Sequence, residues 1–342
     1  MTEITTVNTA TASTTLASML SQGQAVHALI VTAQLGLADL LAEGPRRAEE
    51  LAVATGTHPR ALYRLLRALA GLGVLAVQDN GCFALTPLAE PLRSGVPGSL
   101  RALAQYLAVE MQAWNALLYS VQTGASGWEQ VLGVGHYEYF ARHPEANTHF
   151  NTVMTASTVR VLPDILAAYD FTGIDTVVDV GGGRGLLLAG ILQQYPRMQG
   201  VLLDLPHVVA EAPPVLQAAG VADRCRIVGG DFLADLPTDA DAYLLKNMVL
   251  GMSDAEAVQV FRACHAAVVD GHSRLLIIGE IIGTGATVGP AIQLDLRMLV
   301  IFGEARVRTE EELRTLLTDG GFQLTRVVPA GRAGAIVEAL RI

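Results

Sequence analysis

Four glycines in five residues, Gly181, Gly182, Gly183 and Gly185, follow the β-branched run at 176–180 and precede a helical pattern over 186–195. A second apolar run, 201–203, ends at Asp204. Glycines in such a turn let the backbone reach φ > 0 and let a ligand approach the main chain closely. A carboxylate about 20 residues on, at the tip of the next strand, accepts both hydroxyls of a ribose. The chemistry in prospect is the holding of a nucleoside cofactor. A tight strand-to-helix turn with no ligand is the plainer alternative. The combination of strand, glycines, helix, strand and terminal acid argues against it.

The elements that must position these residues follow from length and pattern. At 342 residues the chain exceeds the size at which one core stops growing, so two domains are expected. Half the residues are apolar (51%), and the net charge of −10 opposes polyanion binding, so nucleic acid is not an expected partner. Cys82, Cys225 and Cys264 form no disulfide or metal-ligand pattern, which suits a cytoplasmic location and gives no metal site. The first 15 residues carry no Lys or Arg and do not read as a signal peptide; their polar start is expected to be disordered. The most apolar stretch, 28–42, is short and interrupted by Gln34 and Asp39, so no membrane span is expected.

Helical spacing is expected over 15–33, 35–41, 47–55 and 60–72, then a hairpin of 75–77 and 82–85 about the turn Asp79-Asn80-Gly81. Helix, turn, helix, hairpin is a winged-helix arrangement, which raises a rival reading as a DNA-binding or ligand-sensing regulator. Arg60, Arg64 and Arg67 share one side of the second of those helices, but the rest is Ala and Leu, without the Asn, Gln or Ser that read base edges. Helices are expected over 98–120 and 144–169, with an aromatic stretch between them at 135–142. Strands at 200–203, 225–228, 242–245 and 275–280 then alternate with helices such as 254–269 and 309–320, and 322–328 with 335–339 closes the sheet as an antiparallel hairpin.

Asp179-Val-Gly-Gly-Gly-Arg-Gly185 resembles the first motif of the class I methyltransferases. Taken with Asp204-Leu-Pro206, Gly230-Asp-Phe232 and Leu244-Leu-Lys246, it makes nearly the whole chain similar to the small-molecule O-methyltransferases of plants and of bacterial antibiotic biosynthesis. The resemblance implies a winged-helix dimerisation domain (1–108), linking helices (109–170) and a Rossmann-like α/β catalytic domain (171–342). It implies a homodimer, S-adenosylmethionine as cofactor and a small hydrophobic acceptor. Gly181 and Gly183 would hold the amino-acid end of the cofactor and Asp204 its ribose. Asp231 and Phe232 would hold the adenine, and Lys246 and Arg160 would make further cofactor contacts. Asn151, Met154, Met252 and Met298 are the expected acceptor pocket.

Most of the family carries a His-Asp-Trp triplet whose His is the general base. By the resemblance this chain has Leu250-Gly251-Met252 there. Glu280 matches one of the two glutamates that position the His, and Val307 stands at the other. A general base contributes roughly 10²–10⁴-fold, about 3–5 kcal/mol, whereas proximity and orientation supply about 7–11 kcal/mol. The expected reaction is therefore methyl transfer to a hydroxyl largely by positioning. Transfer to carbon and a non-methylating reaction that keeps the cofactor are the alternatives. Glu280, Asn247 and His149 are the catalytic candidates, His149 as a substitute base, with His27 a weaker one.

Overall fold

The computed structural model describes residues 9–238, 240–268, 273–283 and 289–342. The chain divides into two compact units, Met1–Met111 and Gln112–Ile342. The expected polar start at 1–8 and the last residue of the helix expected at 254–269 lie outside the described residues.

In the first unit a long helix, Thr9–Gln34, turns at Gly36 into Leu37–Ala42. The pair Ala48–Thr55 and Pro59–Gly71 follows, the second helix starting on a proline. Proline suits a first helical position because its missing N–H would have no partner there. Strands β1 (Leu75–Val77) and β2 (Phe83–Leu85) pair antiparallel, and Asn80 Oδ1 accepts from the Cys82 N–H at 3.0 Å to shape the turn. Leu37, Leu51, Leu66, Leu69 and Phe83 form the core. On the first helix Leu16, Met19 and Leu20, at i, i+3 and i+4, are 59%, 61% and 78% exposed.

The second unit is a seven-stranded sheet between two helical layers. Its strands are β3 (Thr176–Val180), β4 (Gln199–Asp204), β5 (Cys225–Gly229), β6 (Ala242–Lys246), β7 (Arg274–Gly279), β8 (Phe322–Pro329) and β9 (Ala335–Arg341). The spatial order is β5-β4-β3-β6-β7-β9-β8. The first five are parallel, and β9 runs antiparallel to both β7 and β8. The direction of winding reverses between β3 and β6, and open α/β sheets bind ligands at that crevice, beyond the carboxyl ends of the strands. The sheet separates two cores, one about Val177, Leu188 and Leu202, the other about Val178, Tyr243 and Phe261.

The helix Pro144–Ala168, expected as a linker, belongs to this second unit. A side chain on Gly190 would strike Leu162 at 2.6 Å, so the glycine lets that helix lie close on Leu186–Gln194. The helix Pro290–Phe302 packs on the short helices Leu117–Thr123 and Gly127–Leu132.

Candidate active site

The glycine turn leaves β3 with φ of 65° at Gly181 and 62° at Gly183, a left-handed backbone that other residues enter only at a cost. A Cβ on Gly181 would meet Met248 Sδ at 2.5 Å, and one on Gly182 would meet Asp179 Cγ at 2.6 Å. The main chain here forms one wall of a cleft whose empty volume, mouth included, is about 1110 Å³. Asp204, at the tip of β4, also lines it; its Oδ2 accepts from the Gly183 N–H at 2.8 Å and its Oδ1 from the Leu205 N–H at 2.7 Å. Burial pushes the Asp204 pKa up, and those two N–H donors oppose the rise.

Behind the turn lies Asp179, 1% exposed, with neither carboxyl oxygen in a well-formed hydrogen bond. Desolvation pushes its pKa up to about 7; the Lys246 charge pulls it down, Asp204 adds to the rise, and the Leu188 N–H opposes it. Lys246, at the end of β6, is held below the usual lysine range by burial, with Asp179 partly compensating. A buried, unsatisfied carboxylate beside a backbone cradle calls for a cationic donor, which the amino-acid end of S-adenosylmethionine would present. The residues therefore fit that cofactor.

The helix Pro144–Ala168 lines the same cleft with Asn147, Asn151, Met154, Thr155 and Thr158. At 3.6 residues per turn these lie on one stripe. Asn151 Nδ2 donates to Glu211 Oε1 at 3.4 Å, and Glu211 pairs with Arg184 of the glycine turn, tying helix to turn. Phe150 of the same helix continues into an aromatic wall. Phe140 and Phe150 stack at 4.9 Å and 13°, and with Tyr137 they face the cleft. His136 and Trp128 back them, 5% and 0% exposed. Burial, helped by Arg297, lowers the His136 pKa to about 3, so that imidazole stays neutral at any working pH.

The cleft thus brings together Gly181, Gly183, Asp204, Lys246, Asn247, Asn151 and Met154 of the expected set. The other expected residues lie elsewhere. His149 and Arg160 are two residues before and nine after Asn151, both about half a turn from the cleft stripe, and neither lines the cleft. Asp231 Oδ1 accepts from the Leu233 N–H at 2.9 Å and shapes its own turn. Phe232 and Met252 are half-buried against the core on one face of the sheet, and Met298 is 4% exposed.

Glu280, Asn247 and Leu250 share a smaller pocket with Arg306 and Arg308. Burial raises the Glu280 pKa. Asn247 carries φ of 56°, a left-handed backbone that is uncommon outside glycine. Arg308, 2% exposed, donates to the Val249 and Met252 carbonyls at 2.6 and 2.7 Å and to Asp254 at 2.9 Å, which fixes the turn carrying Leu250.

Sequence reasoning missed Tyr137, Phe140, Phe150 and Asp179 as site residues. The aromatics had a signal in their density over 135–142, but which of them faced inward depended on packing. Among the described residues no cluster suits a metal ion, and no helix is long and apolar enough to cross a membrane.

A glycine turn, a terminal Asp on the next strand and a sheet that closes with an antiparallel pair define a class I methyltransferase fold. Residues 114–323 match the O-methyltransferase domain family, and 17–94 match the O-methyltransferase dimerisation domain. The chain is 40% identical to the phenazine O-methyltransferase PhzM of Lysobacter antibioticus, over 96% of both chains. It is 34% identical to the aclacinomycin 10-hydroxylase RdmB of Streptomyces purpurascens, over 87% of this chain and 81% of that one. The mitomycin 7-O-methyltransferase MmcR superposes with a TM-score of 0.91 at 36% identity, covering 97% of this chain and 98% of that one. The O-methyltransferase NcsB1 of neocarzinostatin biosynthesis, solved with S-adenosylmethionine and 2-hydroxy-5-methyl naphthoic acid, gives 0.84 at 30% identity, covering 93% and 96%. The chain belongs to the S-adenosylmethionine-dependent O-methyltransferase family of secondary-metabolite biosynthesis.

Proposed function

We propose that this enzyme methylates a hydroxyl on a planar, largely apolar aromatic metabolite, and that it does so by holding the acceptor rather than by general-base catalysis. The observation that carries the reading is the cleft itself. Its cofactor-side glycines and Asp204 face a wall of Tyr137, Phe140 and Phe150 across one continuous space. Stacked rings and methionine favour a flat aromatic guest. The acceptors in the relatives' names, a phenazine and a naphthoic acid, are flat as well.

Bound S-adenosylmethionine supplies an electrophilic methyl group on a sulfonium. Asp204 holds the ribose, the Gly181 and Gly183 turn with Asp179 receives the amino-acid end, and Asn151 with Met154 borders the acceptor. Leu250 stands at the family's base position, so Asn247 and Glu280 shape the floor beneath it without a His to orient. His149 lies half a helical turn away and takes no part. The first-unit helix with exposed Leu16, Met19 and Leu20 is the proposed homodimer contact.

Incubation with S-adenosylmethionine and a panel of hydroxyphenazines and hydroxynaphthoates tests the reading by mass spectrometry. Products heavier by one methyl substituent, with pH–rate midpoints that track each acceptor's own ionisation, are expected. Products heavier by one oxygen would establish the hydroxylase reading that the likeness to the 10-hydroxylase keeps open. A midpoint fixed near 6.5 for all acceptors would reveal a histidine base.

A further inference from the structure

If positioning does the work, some group must still hold the acceptor oxygen in its reactive, ionised form. The Tyr137 hydroxyl is placed to do this. A methyl group on Gly251 would sit 3.6 Å from it, so the hydroxyl lies against the Leu250-Gly251-Met252 segment. The ring opens onto the cleft, which accounts for Tyr137 being 55% exposed, and it is held edge-on by His136 at 5.2 Å and face-tilted by Phe302 at 5.7 Å. Among the described residues no hydrogen bond engages its hydroxyl. The ring is anchored and its one polar atom is left for a guest.

We propose that Tyr137 is the catalytic hydrogen-bond donor to the acceptor oxygen, stabilising it as the phenolate at the place where Leu250 offers no base; this rests on the methyltransferase reading above. The hydroxyl acts as a donor and not as a base: the ring is open to the cleft, but desolvation by the protein packed around the cleft, first, and Asp204's charge, second, push its pKa up to about 12. The acceptor loses its proton to water, and Tyr137 keeps its own. The phenolate oxygen then bonds to the methyl carbon as the carbon–sulfur bond breaks, with the electron pair left on sulfur as the thioether. Of the neighbouring groups, Asp179, its pKa pushed up to about 7, falls within the pH range of the assay, and it acts alike on wild type and a Tyr137 variant, so it does not produce a difference between them. His136 stays neutral, and Arg297 stays charged on the helix behind it. Asp204, Asp179, His207 and Lys246 line the same cleft.

The test uses the full-length protein saturated with S-adenosylhomocysteine and 1-hydroxyphenazine as a chromophoric probe, its ionisation followed by absorbance against pH. A hydrogen bond to a charged oxygen lowers the bound probe's pKa by about 1–2 units, a 10- to 100-fold change in its ionisation constant. Tyr137→Phe keeps the ring packing and is expected to raise the midpoint by that amount. Tyr139→Phe, whose ring stacks on His143 at 4.0 Å and does not line the cleft, should leave the midpoint at the wild-type value. Coincident midpoints for wild type and Tyr137→Phe overturn the proposal. Calorimetry separates the two levels of the reading, since loss of S-adenosylhomocysteine binding by wild type would instead remove the cofactor assignment on which it rests.

Discussion

Asp179→Asn should stabilise the ligand-free protein at pH 8 far more than at pH 5. The folded-state pKa of Asp179 is raised to about 7 from 3.8. A raised carboxylate pKa means the folded state binds the proton more tightly than the unfolded one. The acid is therefore harmless below pH 3.8, and stability falls as pH rises through 3.8 to about 7. Three units correspond to about 4 kcal/mol against folding once both states are ionised, and at pH 5 the penalty is about 1.6 kcal/mol. Asparagine keeps the shape and is neutral throughout, so its advantage should grow by about 2–3 kcal/mol between the two pH values. Urea denaturation of wild type and variant at pH 5 and pH 8 measures it. Saturating S-adenosylhomocysteine should shrink the advantage, because its ammonium gives the charged Asp179 a partner that asparagine cannot replace. An equal gain at both pH values, or none at pH 8, would show that the carboxylate is not a desolvated charge and would refute the reasoning.

Asp204→Ala should weaken S-adenosylhomocysteine binding by about 1.5–3 kcal/mol in calorimetry, and unchanged affinity would place the ribose elsewhere. If the proposed homodimer forms through the first helix, Met19→Asp with Leu20→Asp puts charge on its apolar stripe and should halve the mass in light scattering; an unchanged mass would refute a dimer held by that stripe. Arg308→Met strips the charged donor from the Val249 and Met252 carbonyls, for an expected loss of about 1–3 kcal/mol per carbonyl, the range for an unsatisfied buried acceptor, while half-exposed Asp254 keeps Arg306 as a partner. A denaturant-derived loss below about 1 kcal/mol would mean that this clamp is not what holds the Leu250 turn.

Much of this protein could be read from local pattern. The β-branched run at 176–180, the glycines after it and the acid after 201–203 are short-range signals. Their strands and turn emerge where the periodicity puts them, at Thr176–Val180 and Gln199–Asp204. The hairpin turn at Asn80-Gly81 and the helix pair before it are likewise local. Even the position of His149 and Arg160 off the cleft-lining stripe was within reach, since 100° per residue turns both away from a face that includes Asn151, Met154 and Thr155.

What only the tertiary structure decided is which side chains meet across the chain. Tyr137 and Gly251 are more than a hundred residues apart, as are His136 and Phe302, and no periodicity links them. Methionine and phenylalanine look alike in sequence whether they line a pocket or fill a core, because both environments select for apolar bulk. Met154 therefore faced the cleft while Met298 did not. The strained Asn247 and the desolvated Asp179 are also tertiary facts. A backbone angle and a buried charge arise from the surrounding fold, and the residue's identity records neither.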